Sequence, residues 1–167
     1  MNTKQYKIAE QIVNLLTQNN CKVCSAESCS GGGIAKALTS VPGCSEVFAG
    51  GVVAYSNAIK VRLLSVPEKM IEKCGAVSEK VVIEMADNTA RVFDADFCIA
   101  STGIAGPSGG TMKKPIGTVW LAVATPKNII ILENLFKGNR ERIREQTITH
   151  GLELLKNEIL NYLNSAD

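Results

Sequence analysis

Apolar residues between Thr3 and Asn19 fall at Ile8, Ile12, Val13, Leu15 and Leu16. That one-sided, helical spacing predicts a first helix, ended by Asn19-Asn20. A β-prone strand from Lys22 to Ala26 then runs into the turn Ser28–Gly33. Ile34, Ala35, Ala37 and Leu38 continue as a helix of about ten residues to Thr39, stopped by Val41-Pro42-Gly43. Glu46 to Ser56 reads as a strand, with a bulge or a close backbone approach at Gly50-Gly51. Ser56 or Asn57 is suited to cap a short helix carrying Lys60, Leu63 and Leu64. A second short helix follows Pro67 and ends at Cys74-Gly75.

Ser78-Glu79 opens the clearest helix, with Val81, Val82, Met85, Ala86, Thr89 and Val92 inward. Phe97 to Ser101 is continuously apolar, as a buried strand should be, and enters a second glycine-rich loop, Thr102 to Thr111. Ile116–Thr125 and Ile129–Phe136 are separated by Pro126, Lys127 and Asn128 alone, so they predict an antiparallel hairpin. Gly138-Asn139 leads into a last helix with Ile143, Ile148, Leu152, Leu155, Ile159, Leu160 and Leu163 on its apolar face. Helices alternating with strands before a final hairpin predict an α/β fold: one mixed sheet covered on both faces, in one domain over residues 1–167.

Composition narrows the function. The chain is 46% hydrophobic and 20% charged, which suits a globular protein, and its net charge of +2 gives no reason to expect nucleic acid as a partner. No apolar run has transmembrane length and the N-terminal stretch lacks a signal-peptide apolar region, so a soluble, cytoplasmic protein with no membrane partner is expected. The six cysteines should then be reduced, and Cys21-x-x-Cys24 has no second pair to complete a zinc site. The chain has one histidine, His150. It excludes HExxH and multi-histidine metal centres, and it turns attention to a different base if the protein is a hydrolase.

Ala26–Gly33 (AESCSGGG) has the form of a strand, a tight turn and a helix start, with Ser28, Cys29 and Ser30 at its mouth. Unpaired N–H groups and the positive dipole end of the helix suit an anion or a developing oxyanion. Equally, Ser28 or Ser30 suits a helix cap. Both glycine loops follow strands, and the carboxyl ends of strands in such sheets tend to border ligand clefts; both also fit plain tight turns. Lys60 lies just past a strand end. Arg140 and Arg144 share a helix face, fit either for phosphate or for solvent beside Glu141 and Glu145. Lysine acts as a base only when neutral, which requires burial to lower its pKa by several units from about 10.4. Cys29 is a rival nucleophile, but a strand would aim it away from Ser28.

AESCSGG, FAGGVVAYSNAIKVRLLSV, GAVSE, STGIAGPSGGTMKKPIGTVW and the F-x-G-x-R-x-x-I-R pattern of Phe136–Arg144 resemble, in order, the CinA C-terminal domain family, which includes nicotinamide mononucleotide (NMN) amidohydrolases. The resemblance implies a three-layer α/β/α fold and the stand-alone form of the domain, without the nucleotide-handling domain of longer relatives. It implies hydrolysis of NMN to nicotinic acid mononucleotide and ammonia in pyridine nucleotide salvage, with no cofactor or metal and as a homodimer. Ser28 would be the nucleophile and Lys60 the base, with Tyr55 assisting. Ser30, Gly31, Gly32, Thr102, Gly103, Gly109, Gly110, Arg140 and Arg144 would bind substrate, with backbone N–H groups around Ser30 and Gly31 facing the oxyanion. The family commonly has threonine at Ser30 and aspartate at Asn139; both replacements keep the relevant chemistry, a hydroxyl and a cap. The alternative is a non-catalytic nucleotide-binding or competence- and damage-associated interaction module.

Overall fold

In the computed structural model, which describes residues 2–165, the elements run α1 (Thr3–Gln18), β1 (Val23–Glu27), α2 (Gly33–Thr39), β2 (Phe48–Val53), α3 (Asn57–Leu64), α4 (Glu68–Cys74), α5 (Glu79–Phe93), β3 (Phe97–Gly103), β4 (Thr118–Ala124), β5 (Ile129–Leu135) and α6 (Arg140–Asn164). The sheet order is β2-β1-β3-β4-β5. Strands β2, β1 and β3 are parallel, whereas β4 and β5 form the expected antiparallel hairpin.

Each sheet face buries a different set of helices. On one side, α1, α2 and α6 bring Ile12, Leu16, Ile34, Leu38, Leu152 and Ile159 against Val23, Phe97, Ile99 and Val123. On the other, Val81, Val82, Met85 and Ala86 of α5 meet Cys24, Ala26, Cys98, Ala100, Ala122 and Ala124. The small residues on that strand face let α5 lie close to the sheet. Burial of the apolar stripes, rather than helix propensity, holds the layers together, since most helical stability in proteins comes from packing an amphipathic face. The result is the expected three-layer α/β/α sandwich.

Two sequence expectations change and a third is sharpened. Val92 is 69% exposed. The inward stripe of α5 passes instead to Phe93, whose ring lies where a Cβ on Gly50 would come within 2.5 Å. Helix α2 has seven residues rather than about ten, because Gly31 and Gly32 turn through positive φ (64° and 85°) and cannot be helical. In β2 the close backbone approach expected at the glycine pair is present at Gly51, where a Cβ would lie 3.2 Å from the Ser25 carbonyl oxygen; the extra residue is Ala49 just before the pair, since Val23 pairs with Phe48 and Cys24 with Gly50.

Because β2, β1 and β3 run in parallel, their carboxyl ends meet at one edge. The segments carrying Ser28, Tyr55 and the second glycine loop all leave there. That loop is closed by Ile104 N–H to the Thr118 carbonyl (2.9 Å), Gly117 N–H to Ile104 (2.8 Å) and Phe136 N–H to Gly117 (2.9 Å). Gly117 has φ of 96°, and a Cβ there would sit 1.9 Å from the Phe136 carbonyl oxygen. Gly117→Ala should therefore cost about 2 kcal/mol or more, a fall of roughly 4–8 °C in Tm by calorimetry. An unchanged Tm would mean that the loop is not closed in this way.

Candidate active site

Ser56 caps α3 by accepting the Ile59 N–H (3.2 Å), and the first turn of this helix points Lys60 into the molecule. Lys60 is 2% exposed. Its Nζ lies 2.9 Å from Ser28 Oγ and 2.8 Å from the Ala54 carbonyl oxygen. Ser28, 8% exposed, follows β1 directly and donates its N–H to the Ser101 carbonyl at 2.9 Å. Adjacent parallel strands thus fix the nucleophile candidate, and the segment after β2 fixes its partner.

Burial lowers the Lys60 pKa from the ordinary lysine value. A Cys29 thiolate would oppose this shift, but burial pushes the Cys29 thiol up to about 12. At neutral pH Cys29 is therefore an uncharged thiol, poorly suited to be the nucleophile and unable to stabilise a lysine cation. The ion pairs among the described residues are Lys4–Glu153 and Arg91–Asp87, so no carboxylate lies at ion-pair distance from Lys60.

The start of α2 differs from expectation. Neither Ser28 nor Ser30 caps it. Glu27, 1% exposed, accepts the Ile34 N–H at Oε2 (3.0 Å) and the Ala35 N–H at Oε1 (2.7 Å). These N–H groups are consequently not free for an anion. Gly31 N–H is also engaged, donating to the Ser28 carbonyl at 3.1 Å. The N–H groups of Cys29, Ser30 and Gly32 make no hydrogen bond to an oxygen among the described residues, and those of Cys29 and Ser30 lie beside the Cys29 sulfur. Of the expected pair, the Ser30 N–H is thus left without an oxygen acceptor and the Gly31 N–H is not.

The other candidates gather around this turn to differing degrees. Ser30 Oγ shares a 2.7 Å hydrogen bond with Ser101 Oγ. Thr102 Oγ1 donates to the Ala76 carbonyl at 2.9 Å, and Lys114 Nζ pins the same segment through the carbonyls of Cys74 and Val77, both at 2.6 Å. Arg140 donates to the Tyr55 hydroxyl (2.5 Å) and the Gly106 carbonyl (2.7 Å), bridging two of the loops. Arg144 donates to the Ser30 carbonyl at 3.1 Å and lies over Gly31, where a Cβ would approach it to 2.8 Å. Neither arginine is paired with Glu141 or Glu145, so their face is not merely solvated. A cleft of about 430 Å³ beside the turn is lined by Gly31, Gly32, Lys36 and Arg144 and also by Glu141 and Glu145.

Gly103, at the end of β3, packs near Cys29. Gly109 and Gly110 lie on the exposed part of their loop, with no hydrogen bond to Ser28, Ser30 or Lys60. His150 sits edge-on to the Phe136 ring at 4.8 Å, a packing role. Glu27, Ser101 and Lys114 are the residues that sequence reasoning missed. A carboxylate closing the otherwise uncharged strand VCSAE was the available signal for Glu27; nothing comparable marked Lys114.

Residues 5–159 match the CinA C-terminal domain family. A CinA-like protein of Fervidobacterium nodosum is 45% identical over 149 residues, covering 89% of this chain and 36% of its own. A CinA-like protein of Desulfotalea psychrophila is 46% identical over 145 residues, covering 87% of this chain and 35% of its own. The chain thus spans little more than a third of the length of these curated relatives. Among solved structures, the competence/damage inducible protein CihA from Agrobacterium tumefaciens aligns with a TM-score of 0.91 and 36% identity, over 93% of this chain and 95% of its own. A CinA superfamily protein from Escherichia coli aligns with a TM-score of 0.89 and 30% identity, over 96% of this chain and 92% of its own. In sequence and in fold alike, the chain belongs to the CinA C-terminal domain family.

Proposed function

We propose that this domain is an NMN amidohydrolase of pyridine nucleotide salvage that works by a serine–lysine mechanism. The observation that carries the reading is the buried Lys60 amine 2.9 Å from Ser28 Oγ with no carboxylate partner. A neutral amine has one lone pair and two N–H groups. One N–H donates to the Ala54 carbonyl, and the lone pair accepts the Ser28 proton as Oγ attacks the carboxamide carbon. Negative charge on the carbonyl oxygen is met by the N–H groups of Cys29 and Ser30. The Lys60 ammonium returns its proton to the departing nitrogen, the C–N bond breaks and ammonia leaves. Water, deprotonated by Lys60, then attacks the acyl-serine; the ester C–O bond breaks, Lys60 returns the proton to Ser28 Oγ, and nicotinic acid mononucleotide leaves. Arg140 and Arg144 support a nucleotide substrate, since guanidinium forks suit phosphate oxygens.

Purified protein incubated with NMN should release ammonia and nicotinic acid mononucleotide in equal amounts. Ser28→Ala should abolish release and Lys60→Ala should lower kcat by about 10²–10⁴-fold, with both variants folded by circular dichroism. Full activity in either variant would overturn the mechanism; no product from the parent would overturn the substrate assignment.

The pH dependence has a definite sign. Only neutral Lys60 accepts a proton, so kcat/KM should rise with pH through one ionisation below the ordinary lysine value of 10.5. A rate still climbing beyond that value would contradict the assignment. The unfolded chain binds more protons than the folded one between the lowered and the ordinary pKa. Stability should therefore rise with pH across that window, and Lys60→Met should remove this part of the slope of Tm against pH.

A further inference from the structure

Glu27 is a buried carboxylate next to the nucleophile, and the mechanism above gives it no proton to carry. Its contacts explain why it is there. The side chain takes the Ile34 and Ala35 N–H groups at 3.0 and 2.7 Å, bonds strengthened by its charge and by the positive end of α2. Its main-chain carbonyl accepts the Ala54 N–H at 2.8 Å, and the Ala54 carbonyl in turn holds Lys60. One residue therefore links the helix that closes the Ser28–Gly32 turn to the segment that fixes Lys60.

The turn needs such a clamp. Its own bonds, Gly31 N–H to Ser28 and Gly33 N–H to Ser30, are 3.1 and 3.3 Å long, and two consecutive glycines give it backbone freedom. We infer that Glu27 is a positioning residue for Ser28: its carboxylate, by clamping the first turn of α2, holds Ser28 Oγ and the Cys29 and Ser30 N–H groups in register with Lys60. The inference rests on Ser28 being the nucleophile, but not on the identity of the amide substrate.

Glu27→Gln is nearly isosteric yet presents an NH2 group to one of the two helix N–H groups, so one hydrogen bond becomes a donor–donor contact. Glu27→Asp keeps the charge but is one methylene too short to reach both. The test is the rate at which a fluorophosphonate labels Ser28, with the site located by mass spectrometry. In that reaction Oγ bonds to phosphorus, fluoride leaves and Lys60 takes the proton. Parent protein should be labelled at Ser28 and Ser28→Ala should not.

Both Glu27 variants should show a maximal labelling rate at least tenfold lower, with the half-saturating probe concentration within twofold of the parent. Ile159→Val, which trims the core far from the site, controls for stability: it should label at the parental rate. Should Glu27→Gln fail to fold, Glu27→Asp carries the test. Parental labelling rates in a folded Glu27 variant would overturn the positioning role while leaving the dyad intact. Absence of label on the parent would overturn the Ser28 nucleophile and this inference with it. Labelling of the parent without NMN turnover would overturn the substrate assignment alone.

Discussion

Lys60 is an amine taken out of water with no carboxylate at ion-pair distance among the described residues. Each unit by which burial depresses its pKa corresponds to about 1.4 kcal/mol disfavouring the cation. What the fold provides is a pair of neutral partners, the Ala54 carbonyl and the Ser28 hydroxyl. A neutral amine satisfies both, whereas an ammonium ion would carry an uncompensated charge. The surroundings thus favour the protonation state that a base for serine requires, and the Ser101 and Ala54 carbonyls hold the pair in register.

The sheet supplies the register. Ser28 is held to β3 through Ser101, Lys60 to β1 through Ala54 and Glu27, and the turn between β1 and α2 is fixed from below by the Glu27 carboxylate. Neighbouring parallel strands deliver these groups to one edge without long connections. Around them lies a second layer of side chains that bind backbone carbonyls: Thr102 and Lys114 on the segment before α5, Arg140 on Gly106, Arg144 on Ser30. Arg144 and Lys36 line the cleft beside the turn together with Glu141 and Glu145, none of them in an ion pair, while Arg140 ties Tyr55 to the second glycine loop.

Much of this was legible in the sequence because it depends on local patterns. Helical periods, the short hairpin connection and the strand-then-glycine order determine the elements and place both glycine loops at one sheet edge. The serine and lysine candidates stood out by residue type, and the single histidine narrowed the choice of base. The missing parts depend on tertiary approach. A serine in a turn before a helix looks like a cap, and only the fold shows that Glu27 reaches across to do that work. The Ser30–Ser101 contact joins residues 71 apart in the chain, and no local signal marks Lys114 as the anchor of a segment near Cys74. Val92 fitted the helical stripe, yet α5 ends one residue later and Phe93 covers the sheet instead.

The central claim is that Lys60 is neutral beside Ser28 under working conditions. The most direct measurement is an NMR titration of protein carrying ¹³C-labelled lysine, with the Lys60 side-chain resonance assigned by its loss in Lys60→Met. The account predicts a midpoint well below those of the exposed lysines, with Lys60 moving no further as they titrate near 10.4. A Lys60 midpoint at or above theirs would show an ammonium ion next to Ser28, and the serine–lysine account would fail.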